Sequence, residues 1–329
     1  MVQFLTANDQ AIKIASNLVK EGDLVAFPTE TVYGLGADAT NDKAVAKIFE
    51  AKGRPQFNPL IVHVTGLKMA SNYVEIDERA KSLASVFWPG PLTFVLPRKE
   101  KTELSLLVSA GLDTVAVRAP ANTIAQKLIK ETGVPIAAPS ANRSGTLSPT
   151  TPEHVLDSLG DNLGLILAGG KCQVGLESTV LDLSTKVPAL LRAGAISPEE
   201  IEDVIGPIEI WTEVSNETPK CPGQLLKHYA PNTPLRLNAI DLEPEEALLA
   251  FGDIKFMGVK GGGAAKDLPS EMYMNLSLTG DLTEAAGNLF LMLHALDRGN
   301  FKRIAVMSIP EHGIGVAIND RLKRAASSP

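Results

Sequence analysis

Over its first 210 residues the chain keeps switching between two hydrophobic periods, and that alternation limits its fold more than any other feature. Apolar residues recur at helical spacing over Asp9–Lys20 (Ile12, Ala15, Leu18, Val19). They do so again over Asp42–Lys52 (Val45, Ile48, Phe49), where Asn41 is placed to cap the helix. A short buried strand is expected at 24–27, β-rich runs bounded by proline or glycine lie at 60–64 and 92–96, and another short strand lies at 114–117. A helix is predicted over 123–131, then strands at 136–138, 165–168, 179–183 and 189–192. Strands interleaved with helices in this way imply a layered α/β domain.

The pattern breaks after Ile210. Residues 212–234 hold Pro219, Pro222, Pro231 and Pro234 among polar residues, the composition of a semi-extended linker. A smaller α/β, Rossmann-like unit follows, with strands at 248–251 and 303–307 and helices over Leu282–Asp297 and Gly315–Ala326. The expected organisation is therefore a domain at 1–210, a linker at 211–234 and a second domain at 235–329.

Several chemistries are excluded early. Cys172 and Cys221 are too few for a disulfide framework or a Cys-x-x-Cys zinc site, and the five histidines are scattered without metal-ligand spacing. Neither a Walker A pattern nor a Gly-x-Ser-x-Gly elbow occurs. No run reaches the ~20 apolar residues that span a bilayer, and Asn8, Asp9 and Lys13 interrupt any signal-like start, so a cytoplasmic protein is expected. Residues 1–210 carry 19 Lys+Arg and 24 Asp+Glu, a net of −5, within a chain total of −7. That balance argues against strong nucleic-acid binding through phosphates but leaves room for a local basic pocket.

Of the six arginines before residue 210, Arg54, Arg118, Arg143 and Arg192 lie at strand ends or in loops beside small residues. There a guanidinium can reach a carboxylate or phosphate, or simply form an edge ion pair. Lys52-Gly-Arg-Pro55 presents two cations from a rigid turn at a helix end, or merely complements that end. Pro139-Ser-Ala-Asn142, leading to Gly145, offers small donors to an anion or is an ordinary turn. The run Lys260-Gly-Gly-Gly263 lacks a convincing following helix and reads as a flexible turn rather than a phosphate loop.

Taken in order, the motifs are specific as a set. They are Pro28-Thr-Glu-Thr-Val-Tyr-Gly-Leu-Gly36, Lys52-Gly-Arg-Pro55 with Asn58-Pro-Leu60 and His63, and Trp88-Pro-Gly-Pro-Leu-Thr93. Val115-Ala-Val-Arg-Ala-Pro120, Ala138-Pro-Ser-Ala-Asn-Arg-Ser-Gly145, Glu177-Ser-Thr-Val180 and Leu191-Arg-Ala-Gly-Ala-Ile196 complete it. Together they closely resemble the YrdC/YciO family over roughly residues 5–210, and Pro222 to Pro231 with the C-terminal unit resembles its longer, two-domain form.

The resemblance implies a twisted, open, mixed α/β sheet with a cation-lined cavity. It implies joining L-threonine, bicarbonate and ATP into threonylcarbamoyl-AMP and pyrophosphate, Mg²⁺ accompanying ATP, for a tRNA adenosine modification completed by transient partner transferase proteins. Thr31, His63, Arg118, Ala138 and Ser178 would line the threonine site, with Arg118 facing the carboxylate. Lys52, Arg54, Asn58, Thr114, Ser140, Asn142, Ser148 and Arg192 would hold ATP, with Lys52 and Arg54 central to catalysis and Tyr229 folding back as a lid. The rival within the family is an RNA-binding module without catalysis.

The chemistry suits such residues. A threonine carbamate carries two negative charges and must approach an anionic α-phosphate. Lys52, Arg54, Arg118 and Arg192 would offset that repulsion and align the partners.

Overall fold

The computed structural model describes residues 2–211, 228–254, 258–260 and 268–327. The predicted linker residues 212–227, Cys221 among them, and the glycines 261–263 lie outside that set. Among the described residues, one unit comprises 2–144, 148–173 and 177–211, and a second comprises 145–147, 174–176 and the residues from 228 onward.

The first unit is built on a mixed sheet of eleven strands. In chain order its elements begin β1 (Gln3–Thr6), α1 (Asp9–Lys20), β2 (Val25–Pro28), β3 (Tyr33–Asp38), α2 (Asp42–Lys52), β4 (Ile61–His63), α3 (Leu67–Ala70) and α4 (Glu78–Phe87). They continue with β5 (Leu92–Pro97), β6 (Thr114–Arg118), α5 (Thr123–Thr132), β7 (Ile136–Ala137), α6 (Pro152–Leu159) and β8 (Leu165–Ala168). β9 (Thr179–Asp182), β10 (Ala189–Arg192), α7 (Pro198–Ile205) and β11 (Glu209–Ile210) complete it. Across the sheet the order is β1-β8-β2-β3-β7-β4-β6-β5-β9-β10-β11. The β4/β6 and β5/β9 pairs are parallel, whereas β3/β7, β4/β7, β5/β6 and β9/β10 are antiparallel.

Capping explains the helix starts. Asn8 Oδ1 accepts from Ala11 N for α1, and Asn41 Oδ1 accepts from Lys43 N and Ala44 N for α2. α2 ends where Gly53 turns left-handed, at φ 60°. The period-2 alternation of the strands sorts their side chains to two faces. One face packs Ala26, Leu35, Val62, Phe94, Val117 and Leu181 against Val45 and Ile48 of α2, Leu83 of α4 and Ile201 of α7. The opposite face is divided. Val25, Phe27, Ile136, Leu165 and Leu167 pack against α1 and α5. Beyond them Ile61, Val95, Ala116, Val180, Ala189 and Leu191 form a cluster drawn from strands alone. The functional side chains described below stand at the ends of those strands.

In this unit the structure adds β1, β3, α3, α4, α6, α7 and β11 to the elements expected from sequence. β3 passes unnoticed because it contains Gly34 and Gly36. A Cβ on Gly36 would come within 2.7 Å of Phe27 Cε1 and 2.9 Å of Ile136 Cγ2, so the strand can lie between β2 and β7 only without a side chain there.

The second unit has a parallel sheet in the order β12-β17-β14-β16. Its elements are β12 (Leu235–Arg236), β13 (Asp241–Leu242), β14 (Glu246–Ala250), β15 (Gly258–Val259), β16 (Tyr273–Asn275), α8 (Leu282–Asp297), β17 (Arg303–Val306) and α9 (Gly315–Ala326). β13 and β15 pair separately. The all-parallel pairing agrees with the Rossmann-like expectation. Among the described residues no helix is long and apolar enough to cross a membrane.

Candidate functional site

The turn between β2 and β3 is held by its own hydroxyls. Thr29 Oγ1 donates to Val32 O at 2.6 Å and lies 2.7 Å from Thr31 Oγ1, while the N–H groups of Thr31 and Val32 point back at it. This fixes Thr31 and Glu30 toward the end of β6. There Arg118 donates from Nη1 to Thr31 Oγ1 (2.9 Å), from Nη2 to Glu30 Oε1 (2.5 Å) and from Nε to Gly90 O (3.2 Å). Three of its five N–H groups are thus used, and one on each terminal nitrogen remains for a ligand. Both side chains of the ion pair are buried. Arg118 thus forms the ion pair that the sequence left open while keeping donors for a ligand.

The other oxygen of Glu30 accepts from the N–H groups of Ala121 and Asn122, at 3.0 and 3.4 Å, just before α5. Burial by itself would raise the Glu30 carboxyl, but the charge and hydrogen bonds of Arg118 outweigh it and hold the group below its ordinary range.

β4 and β6 run parallel with His63 opposite Arg118 and Ile61 opposite Ala116. His63 is buried, its ring edge-on to Phe27 at 6.0 Å. Burial first, and the neighbouring Arg118 charge second, push it down to about 3, so it is a neutral imidazole at ordinary pH. Its Nδ1 is buried without a hydrogen-bond partner among the described residues, as is Asn58 Oδ1. A native fold leaves few such atoms, and these two lie at opposite ends of one strand. Ala138, after β7, donates its N–H to Ile61 O and is buried beside this strand. Thr114 begins β6, so it is about 13 Å along the strand from Arg118. Extending the β4/β6 register by two residues puts it level with Pro59, next to Asn58. The two strands thus separate Asn58 and Thr114 at their starts from His63 and Arg118 at their ends.

Arg54 stands at the same end as Asn58. Its Nε donates to Asn58 O (3.3 Å) and its Nη2 to Pro59 O (3.0 Å). Lys52, the last residue of α2, is buried, and Nζ donates to Ser140 O (2.6 Å) and to the backbone oxygen of Asn142. Its partners are carbonyl oxygens rather than a carboxylate. Burial, with the like charge of Arg54 second, holds its ammonium well below the usual lysine range. The 139–142 turn is thereby locked to α2, and Ser144 N completes the link by donating to Lys52 O at 2.8 Å.

On the far side, Arg192 at the end of β10 donates from Nε and Nη2 to Ser178 O (3.1 and 2.9 Å) and from Nη2 to Ser178 Oγ (3.1 Å). Ser178 Oγ lies 2.7 Å from Thr93 Oγ1, and Ser148 Oγ donates to Glu177 Oε1. Gly90 N bonds Ala119 O, and Thr179 N bonds Pro91 O, which ties this set to the Arg118 end of β6.

Thr31, His63, Arg118, Ala138 and Ser178 thus come together, as do Lys52, Arg54, Asn58, Ser140 and Asn142. Arg143 does not join them: it is exposed and bonds Ser158 of α6. Tyr229 lies in the second unit, its buried ring against Phe290 (5.6 Å) and Arg321 (5.4 Å). Sequence reasoning assigned no role to Glu30 or Glu177. Both sit inside the motifs quoted for the site, but their partners are 88 and 29 residues away along the chain.

The sequence model of the Sua5/YciO/YrdC family, described as telomere recombination, matches residues 17–194, and that of the threonylcarbamoyl-AMP synthase C-terminal domain matches residues 196–327. The chain is 44% identical to the threonylcarbamoyl-AMP synthase of Pyrococcus abyssi, across 96% of this chain and 94% of that one. It is 42% identical to the Bacillus subtilis protein of the same name, across 98% and 94%. The crystal structure of P. abyssi Sua5 complexed with L-threonine superposes with a TM-score of 0.87 at 39% identity, covering 99% of this chain and 97% of that one.

Proposed function

The chain belongs to the Sua5/YciO/YrdC family in its two-domain form, and from that premise we propose that it is an L-threonylcarbamoyladenylate synthase. It is a nucleotidyltransferase that joins L-threonine, bicarbonate and ATP into threonylcarbamoyl-AMP, releasing pyrophosphate, in the route to threonylcarbamoyladenosine in tRNA. The observation that carries this reading is the buried Arg118 with one unused N–H on each terminal nitrogen, beside Thr31 and a neutral His63. It lies in a chain that matches a threonine-bound relative over nearly its whole length.

Arg118 binds the threonine carboxylate, with Thr31, His63, Ala138 and Ser178 around the amino acid. Lys52, Arg54, Asn58, Thr114, Ser140, Asn142, Ser148 and Arg192 receive ATP, which enters with Mg²⁺ on its phosphates.

The chain's own residues meet the main obstacle, which is repulsion between the dianionic carbamate and the phosphates. The Lys52 ammonium and the Arg54 and Arg192 guanidiniums are held in place by carbonyl and hydroxyl oxygens before any ligand arrives. Fixed charges of this kind lower the barrier without reorganising during the reaction. No side chain need become covalently attached. The setting is the cytoplasm, with transferase proteins consuming the adenylate and no strong contact to nucleic acid.

Incubation with labelled bicarbonate, threonine and ATP tests this directly. The expected result is threonine-dependent pyrophosphate release and a product with the mass of threonylcarbamoyl-AMP. ATP turnover indifferent to threonine would overturn it. Arg54→Ala and Arg118→Ala are each expected to lower kcat/KM at least ~10-fold, because each removes charge-assisted hydrogen bonds.

A further inference from the structure

Glu30 poses a problem for a site that must gather anions. It is a buried carboxylate placed directly against the cation that meets the substrate. Its geometry is specific. One oxygen takes Arg118 Nη2 at 2.5 Å, and the other takes the N–H groups of Ala121 and Asn122. The carboxylate therefore cannot swing away without stranding two backbone donors. Lys52, at the other part of the site, bonds carbonyl oxygens only. One cation is thus half of a neutral pair, whereas the other has only carbonyl oxygens as partners.

We infer that Glu30 is the specificity-determining residue that sorts carboxylate from phosphate. By neutralising and orienting Arg118, it makes that end of the site accept an amino acid and reject the phosphates that the rest of the site attracts. The physical reason is Coulombic. Repulsion from Glu30 grows with ligand charge, so a phosphate dianion suffers about twice what a carboxylate suffers at equal distance. A zwitterionic amino acid, neutral overall, is the natural complement of a neutral Arg–Glu pair. An unpaired Arg118, buried with its charge uncompensated, would instead be a good phosphate ligand. ATP or pyrophosphate could then occupy the amino-acid pocket and block it. This inference rests on the reading that Arg118 faces the threonine carboxylate.

The test compares the full-length wild type with Glu30→Gln, which keeps the shape and one of the two acceptor oxygens but removes the charge. Threonine binding is measured by calorimetry in the presence of increasing inorganic phosphate, and ATP binding is measured in parallel. The expected result is that phosphate displaces threonine from Glu30→Gln at concentrations at least ~10-fold lower than from the wild type. ATP affinity is expected to stay within about 2-fold, a split that a merely structural role for Glu30 would not produce. Equal sensitivity of the two proteins to phosphate would overturn the inference. If Glu30→Gln does not fold, Glu30→Asp serves, since it withdraws the carboxylate by about one carbon–carbon bond, ~1.5 Å. It is expected to show the same change at smaller amplitude, and wild-type behaviour would again overturn the inference. Arg118→Met separates the two levels. Undiminished threonine binding there removes the underlying reading, and the inference with it, whereas lost threonine binding together with a phosphate-insensitive Glu30→Gln removes the inference alone.

Discussion

His63 and Arg118 are register partners at the ends of the parallel strands β4 and β6, so a guanidinium and a buried imidazole share one edge of the site. Burial and that charge keep the imidazole neutral down to about pH 3. In the unfolded chain the same group takes up a proton near pH 6.5. Between these values the unfolded state binds more protons, so His63 makes stability fall as pH is lowered from 6.5, by about 1.4 kcal/mol per unit. Above pH 6.5 both states are neutral and the contribution vanishes. His63→Gln removes this dependence. Urea unfolding at pH 7.5 and 5.0 is expected to show Gln gaining about 2 kcal/mol on His between the two conditions. A difference independent of pH would mean that the imidazole titrates normally.

Lys52 offers a second pH signature. Burial is the main cause of its lowered pKa and Arg54 the next. A lysine that must be charged to hold the triphosphate gives activity that falls as pH rises through its pKa. The alkaline limb of kcat/KM for ATP is therefore expected below the ordinary lysine value of about 10.4. Arg54→Gln lowers the rate, yet it also removes the like charge. The limb of that variant is expected at higher pH than in the wild type, though still short of an exposed lysine because burial persists. A limb that stays in place, or moves down, would mean that another group sets it.

Much of the architecture was legible because its signals are local. α1 and α2 each have a polar cap and an apolar stripe within a dozen residues, and α8 and α9 likewise declare themselves by their periodicity. α7 was legible too: Ser197 and Glu200 form a capping box with Pro198 at the first turn, a signal the periodicity reading passes over. β3 was hidden for the opposite reason, since its glycines look like a loop until Phe27 and Ile136 are brought against them. The site divides in the same way. Lys52 and Arg54 sit in one turn and can be read together. That Glu30 meets Arg118, or Ser148 meets Glu177, depends on strand order, which no local pattern encodes.

Gly194 makes the dependence of the site on backbone contact testable. A Cβ there would lie 2.3 Å from Thr179 N, 2.6 Å from Ser178 C and 2.8 Å from Glu177 O. All three are main-chain atoms, so no rotamer change can relieve the clash. The segment it would displace carries Glu177, bonded to Ser148, and Ser178, bonded to Arg192 and within reach of Thr93. Gly194→Ala is therefore expected to destabilise the protein by about 1–3 kcal/mol, the cost typical of overpacking. It is also expected to raise the KM for threonine and for ATP together, because both substrates depend on this one segment. Urea unfolding and initial-rate kinetics on the same preparation check the two effects. A variant with wild-type stability would show that the 192–196 loop can retreat from the 177–179 backbone, and the Arg192–Ser178 contact would then not be fixed by packing.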